Sequence, residues 1–295
     1  MRFFSVNASK YDKDKDFEVV RPASLNNPKD NSVMFVTPGF MNLWERLLTV
    51  RECIVIWPEE AEIPDELRKR HAVVTSPEPR FGFACFFHDN GITYNEQVKE
   101  YDTIGGAFVC KGAKIGNNCR VFPGAYLDAN VIIGDNCYIG SGVKLIGRVF
   151  IGNNCIIREN TVIGSDGLTT RRNSDGKVYT IPQFGGVIIE DDVQIGANTV
   201  VCKGAIDDTV IRSGTRIDNC CFISHNVTVG EDTLIVGETL MMGSSSTKKG
   251  AYISGNVVIK DGLSIGEGAF VGMGSVVTKN VPDGVLVKGV PAKQS

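Results

Sequence analysis

Three histidines occur among the 295 residues, and one of them sits where an imidazole has no packing task. His71 ends a charged segment that reads as a helix around Asp65 to Arg70, and His88 follows Phe86-Phe87 in an aromatic patch, so both read as structural. His225 lies in Asp218-Asn219-Cys220-Cys221-Phe222-Ile223-Ser224-His225-Asn226-Val227, two residues after an aliphatic residue of a regular pattern, and is expected to face outward. An imidazole titrates near neutral pH and can take a proton from an attacking amine or hydroxyl, which makes His225 the expected catalytic base. The sequence shows no Ser-His-Asp arrangement, glycine-rich phosphate loop or metal-ligand cluster, which leaves covalent and metal-assisted routes without support. The nine cysteines include no C-x-x-C pair with a matching set downstream, so a zinc site is not expected and the thiols read as reduced and buried.

What positions His225 is a repeat. An aliphatic residue recurs at every sixth position from Val109 through Ile163, and the pattern resumes in the same phase from Val187 to Val277, weakened at Thr199, Ala205 and Thr247. Two positions before each anchor sits a slim residue, such as Cys119, Cys137, Thr215 or Thr233, and glycine often follows the anchor, as at Gly134, Gly152 and Gly196. Glycine at a fixed phase suits a turn between short strands. Three such units make one triangular coil of 18 residues, and successive coils stack as parallel strands about 4.8 Å apart. Residues i and i+18 then become neighbours. By that arithmetic Asp207 lies one coil before His225 as the carboxylate expected to orient the ring, with Asp208 or a residue of a neighbouring subunit as competing orienters. Gly243 lies one coil after and is expected to leave room for substrate, while Cys119, Cys137 and Cys155 form a buried ladder.

Residues 1–103 lack the six-residue phase and read as a small α/β domain, with strand-like Cys53-Ile54-Val55-Ile56-Trp57 and His71-Ala72-Val73-Val74-Thr75. The mainly β coil occupies 104–280, and a polar, glycine-punctuated loop at 165–186 is expected to carry recognition. The tail, 281–295, leaves the coil at Pro282 and is expected to cap its open end. A net charge of −3 offers no basic surface for nucleic acid or an anionic membrane. The N-terminus lacks a signal-like apolar run, and no stretch approaches the roughly 18 apolar residues of a membrane-spanning helix. A cytoplasmic protein is expected.

The repeat resembles the hexapeptide-repeat transferase superfamily over 104–280, a resemblance that implies a left-handed parallel β-helix and a homotrimer. More closely, Ile163-Gly164-Ser165-Asp166-Gly167, Ile181-Pro182-Gln183, Gly204-Ala205-Ile206-Asp207-Asp208-Thr209, Ile217-Asp218-Asn219 and His225-Asn226-Val227 look like the UDP-3-O-acylglucosamine N-acyltransferases of lipid A biosynthesis. Pro22-Ala23-Ser24-Leu25 and Met34-Phe35-Val36-Thr37-Pro38-Gly39-Phe40 resemble that family's uridine-binding domain. The resemblance implies that His225 deprotonates the 2-amino group of a UDP-linked glucosamine, and that the donor is a 3-hydroxyacyl chain on acyl carrier protein. It implies substrate contacts from Asp166, Gln183, Asn219 and Asn226, with Phe35, Thr37 and Phe40 at the nucleotide. The chemistry is direct attack on a thioester, in which the protein aligns two substrates, removes a proton and stabilises an oxyanion. No permanently bound cofactor is implied.

Several positions depart from the family pattern. Its Asn-Pro-Lys-Tyr motif reads Thr37-Pro38-Gly39-Phe40, and Leu168-Thr169-Thr170 stands in place of Phe-Gly-Tyr. Gly262 stands where the family has a second histidine, and the C-terminal helices that help bind the carrier protein are not found. Gly289-Val290-Pro291-Ala292-Lys293 instead looks like the ending of coenzyme A-dependent hexapeptide acetyltransferases, which makes Gly243, Gly262 and Lys293 the expected donor-side positions. Two alternatives stay open: an acetyl-coenzyme A-dependent N-acetyltransferase of a nucleotide amino sugar, and a non-catalytic trimeric scaffold that binds a nucleotide sugar.

Overall fold

The computed structural model describes residues 2–93 and 99–294. Two compact units divide them: one holds the residues up to 93 together with Leu168–Phe184, the other runs from 99 to Gly167 and from Gly185 onward. The segment at 165–186, expected as a loop of the coil, is therefore split. Its middle folds as an antiparallel hairpin, Thr170–Arg172 with Val178–Thr180, whose Tyr179 packs edge-on against Phe81 and whose Arg171 faces Glu78 at 3.6 Å.

In the first unit, four parallel strands lie in chain order: Arg21–Pro22, Ser32–Phe35, Ile54–Pro58 and Ala72–Ser76. Three helical segments connect or flank them, the 3-10 stretch Pro38–Thr49 and the α-helices Asp65–Arg70 and Pro79–Asp89. Each strand residue of Ile54–Pro58 is buried, because a parallel strand covered on both faces has no solvent side. Met34, Leu47, Val55, Trp57 and Leu67 fill that core.

The second unit is a parallel β-helix with three faces. One turn around it reads Phe222–Ile223 on the first face, Thr228–Val229 on the second and Leu234–Ile235 on the third. Anchors stack in register at an 18-residue interval, Leu127 on Leu145, Ile133 on Ile151 and Ile139 on Ile157, and all are buried. The slim inward positions do more than fill space. Cys119 and Cys137 point their thiols at the carbonyls of Gly134 and Gly152, at 3.0 and 3.1 Å, and Thr215 and Thr233 donate their hydroxyls to those of Gly230 and Lys248, at 3.0 and 3.2 Å. In every case the acceptor lies 15 residues on. Cysteine and threonine thus reach the same kind of acceptor from this slot.

The glycine after each anchor serves close stacking, not the turn itself. A Cβ on Gly134 would meet the carbonyl of Gly152 at 2.8 Å, whereas the left-handed turn conformation falls on Asn136 and Asn154. Asparagine tolerates that conformation because its short amide bonds locally.

The phase of the repeat slips twice, contrary to the unbroken pattern expected. Val149 pairs with Val187, an offset of 38, and Val187 pairs with Thr209, an offset of 22, before 18 is restored. The insertions, 20 and 4 residues, together make whole hexads and so hide each other in the sequence. Between them the anchors are Ile189, Ile195 and Val201, while Val187, Val193 and Thr199 occupy the slim positions. Ala205 lies in an expanded corner, not in a strand.

Both ends of the coil differ from the boundaries at 103 and 281. Tyr101–Ile104 pairs antiparallel with the first rung, Ala107–Cys110. At the other end Leu286–Lys288 adds one more parallel rung, burying Val287 in the core, before Lys293–Gln294 folds back antiparallel. No helix of the described residues is long and apolar enough to cross a membrane.

Candidate active site

His225 turns the corner from the first face to the second, between Phe222–Ile223 and Thr228–Val229. Its half-buried ring lies between two glycines. A Cβ on Gly167 would come within 2.8 Å of His225 Cβ and Cδ2, and one on Gly243 within 2.7 Å of Nε2 and 2.6 Å of Cε1. The space at Gly243 is therefore used by the imidazole itself, where room for substrate was expected. In the sequence Gly167 is legible only within the motif Ser165-Asp166-Gly167; the stacking of the rungs is what brings it against the His225 ring.

The residue next to His225 anchors the corner from within. Asn226 is in the left-handed region, φ 59°, and its N–H donates to Thr209 Oγ1 at 3.0 Å. Its side-chain oxygen accepts from the Ala205 N–H at 3.0 Å and lies 3.2 Å from His225 Nδ1, while its Nδ2 donates to the Asp207 carbonyl at 3.1 Å. The amide expected to contact substrate is thus spent on protein groups. His225 Nε2 has no hydrogen-bond partner among the described residues.

Asp207 reaches this network through its backbone carbonyl; its carboxylate makes no hydrogen bond or ion pair among the described residues. The rule that placed it one coil before His225 fails because the rung below is offset by 22, which aligns Val200 with Phe222 and Val201 with Ile223. Asp208, the competing orienter, is committed elsewhere: it pairs with the Arg148 guanidinium and accepts the Gly186 N–H at 2.7 Å, holding the expanded corner shut. Asp166 stands beside Gly167 and pairs at 2.5 Å with Lys203 Nζ, a buried cation.

The other expected positions in the coil are dispersed. Gly262 is on the His225 corner, two coils on, its N–H donating to the Gly243 carbonyl at 3.0 Å. Asn219 is at a different corner, between the third face and the first, where its side chain accepts the Ala197 N–H at 2.7 Å. It borders an open groove of about 510 Å³ on the third face, lined by Arg158, Gln194, Arg216, Asp218 and Tyr252. Lys293 is exposed on the terminal hairpin of that face, away from the His225 corner.

In the first unit, Phe35 ends the second strand, and Thr37 and Phe40 begin the segment that follows, at the carboxyl edge of a parallel sheet where ligands commonly bind. Phe35 packs on Phe83 with centroids 4.9 Å apart, and the Arg80 guanidinium lies 5.8 Å above its ring. Burial, then the nearby Arg171, pulls the Arg80 pKa below its ordinary value. Sequence reasoning missed Arg80; its only signal was its place at the start of a helix after the last strand. Phe40 is half exposed, while Gln183 is buried, its Nε2 on the Ile181 carbonyl at 3.0 Å and its Oε1 without a partner among the described residues.

The two other histidines fit their structural reading. His71 is buried with both nitrogens used: Cys53 N–H donates to Nδ1 at 3.3 Å and Nε2 faces the Leu47 carbonyl at 3.0 Å, and burial holds its pKa down. His88 is paired with Asp89 on the surface.

Known proteins match the coil. The signature described as bacterial transferase hexapeptide (six repeats) covers residues 112–147, and the hexapeptide repeat of succinyl-transferase covers 130–165, 186–230 and 250–279. The UDP-3-O-acylglucosamine N-acyltransferase of Methylobacterium nodulans is 41% identical over 138 residues, 47% of this chain and 39% of that protein. The protein of the same name from Francisella tularensis subsp. holarctica is 54% identical over 79 residues, 27% of this chain and 23% of its own length. The chain thus spans about two fifths, or less, of the curated relatives it matches. Among solved structures, the UDP-N-acetylglucosamine acyltransferase of Bacteroides fragilis superposes with a TM-score of 0.59 at 23% identity, over 64% of this chain and 72% of that one. That of Campylobacter jejuni gives 0.58 at 20%, with the same coverage. The coil is therefore a left-handed parallel β-helix that matches transferase hexapeptide repeats, and over about half its length the chain is similar to the UDP-3-O-acylglucosamine N-acyltransferases.

Proposed function

We propose that the chain is an N-acyltransferase that moves an acyl group from a thioester donor to the amino group of a UDP-linked amino sugar, in the synthesis of lipid A or a related cell-envelope glycan. The observation that carries this reading is His225, whose Nε2 has no partner among the described residues at a coil corner cleared by two glycines, in a chain similar to enzymes named for that reaction. In the proposed step the sugar nitrogen attacks the thioester carbonyl, forming the N–C bond, and its proton passes to His225 Nε2. The C–S bond then breaks, and the imidazolium returns the proton to the leaving thiolate. Phe35 and Phe40, with Arg80 above Phe35, suit an aromatic base that carries phosphates.

The protein acts as a cytoplasmic homotrimer in this reading. Support comes from the outward column of the first face, where Val162, Val200, Phe222, Leu240, Val258 and Val276 stack in register as an apolar strip. His225 and Asn219 stand on the two edges of that face. Closing three such faces about a threefold axis brings each His225 corner toward a neighbour's Asn219 corner, so a site between subunits gathers what one chain keeps apart.

The donor is a carrier-protein thioester or coenzyme A. Gly262, where the related enzymes have a second histidine, and the exposed Lys293 favour a shorter chain on coenzyme A, with Lys293 meeting a phosphate as a point charge. The test offers the pure protein a set of UDP-amino sugars with acetyl-coenzyme A and with 3-hydroxymyristoyl carrier protein, and reads thiol release and product mass. An acylated amino sugar is expected. No thiol release with any pair overturns the reading in favour of a binding scaffold, and a clear kcat/KM advantage for the carrier-protein donor removes the short-chain form of it.

A further inference from the structure

Which nitrogen of His225 carries the proton follows from partners whose own hydrogens are not in question. The Asn226 amide faces a backbone N–H, from Ala205, and a backbone C=O, from Asp207. An N–H only donates and a C=O only accepts, so the oxygen must point to Ala205 and the NH₂ group to Asp207. Turning the amide over would forfeit both bonds and set donor against donor. The atom 3.2 Å from His225 Nδ1 is therefore an acceptor, and a neutral imidazole can meet it in one way, with the hydrogen on Nδ1. The Thr209 hydroxyl, bonded to the Asn226 N–H, fixes the backbone that holds this amide.

Resting on the reading of His225 as the base, we propose that Asn226 is a positioning residue: its side-chain amide locks His225 in the Nδ1–H tautomer and so leaves the Nε2 lone pair as the proton acceptor. Orientation is achieved by a neutral amide: the carboxylates expected for that role are either without a side-chain partner among the described residues, as Asp207 is, or held by Arg148, as Asp208 is. When Nε2 takes the proton, Nδ1–H keeps donating to the same oxygen, and no rearrangement accompanies the transfer.

His71 provides an internal control, since its contacts impose the opposite tautomer: Cys53 N–H requires Nδ1 to accept, which puts the hydrogen on Nε2 toward the Leu47 carbonyl. The experiment is long-range ¹H–¹⁵N spectroscopy of untagged, histidine-labelled protein above pH 7, with His225→Ala assigning the signal of interest among three imidazoles. His225 is expected as Nδ1–H and His71 as Nε2–H. In Asn226→Gly, which removes the amide and tolerates the left-handed backbone, His225 is expected to lose its single tautomer while His71 is unchanged, and kcat falls at least about tenfold with KM little altered. Asn226→Asp keeps an acceptor oxygen and is expected to restore the Nδ1–H signal. A wild-type His225 with its hydrogen on Nε2, or an Asn226→Gly protein that still shows pure Nδ1–H, overturns the proposal. Because the spectrum needs no substrate, it decides this point even where the transferase assay shows no product.

Discussion

From Thr209 to Val277 the coil repeats at 18 residues and each rung resembles the next, whereas from Gly164 to Asp208 two insertions break the period. The regular stretch builds stability from equivalent units, stacked anchors and slim residues bonded to the carbonyl 15 positions on. All of the groups that fix His225 except Gly243 come from the irregular stretch or touch it: Gly167, Ala205, Asp207 and Asn226. A periodic solenoid presents the same surface at every turn, and a defect in the period is what makes one corner unlike the others.

Substitutions at the two kinds of position should separate accordingly. The largest expected effect is at the irregular corner, where His225→Ala lowers kcat by about 100-fold or more, the usual cost of losing a general base. Its thermal unfolding midpoint should stay near that of the wild type, because the ring supports no core; activity kept within a few-fold would move the base elsewhere. On a regular rung the opposite pattern is expected. Leu145→Ala, at a fully buried anchor, should cost about 2–5 kcal/mol of stability through the cavity it leaves, and denaturant unfolding should show this while KM measured on the folded protein is unchanged.

Gly243→Ala sharpens the comparison, since it lies on a regular rung but faces the irregular corner. The added methyl would sit 2.6 Å from His225 Cε1, and the ring is a side chain able to swing away from it. Stability should change little while kcat drops about tenfold, an effect equivalent to roughly 1.4 kcal/mol in the barrier; an unaltered kcat would show that the position of the ring is not critical. The smallest effect is expected for Cys137→Thr. A threonine hydroxyl there can reach the Gly152 carbonyl as Thr215 reaches that of Gly230, so the unfolding midpoint should reflect a change within about 1.5 kcal/mol. A larger loss would mean that the cysteine ladder is not equivalent to the threonine one.

Much of the coil was legible because its contacts are periodic. The anchors from Leu127 to Ile163 and from Ile211 to Val277 are buried where spacing placed them, while on the first rung Ile115 is exposed and Val121 only partly buried, and Gly243 meets His225 as the 18-residue rule requires. The same rule misplaced Val187, Val193, Thr199 and Ala205, since two insertions totalling whole hexads leave the outer pattern in phase. In the first unit the strands Ile54–Pro58 and Ala72–Ser76 and the Asp65–Arg70 helix were readable from local pattern, whereas the short strands Arg21–Pro22 and Ser32–Phe35 were not, and Arg80 over Phe35 joins residues far apart in the chain with no period to connect them.

The sequence by itself determined a stacked coil with a lone outward histidine, because a six-residue period dictates which side chains turn inward and which rung follows which. Only the tertiary structure decided what holds that histidine. An expanded corner of four extra residues carries the Asp207 side chain out of the position that counting assigned to it and brings its backbone carbonyl, with the Ala205 N–H, onto the Asn226 amide. The path of such a corner depends on the rungs above and below it, the Arg148–Asp208 pair and the Gly186 N–H among them, and those contacts span intervals that no local pattern encodes.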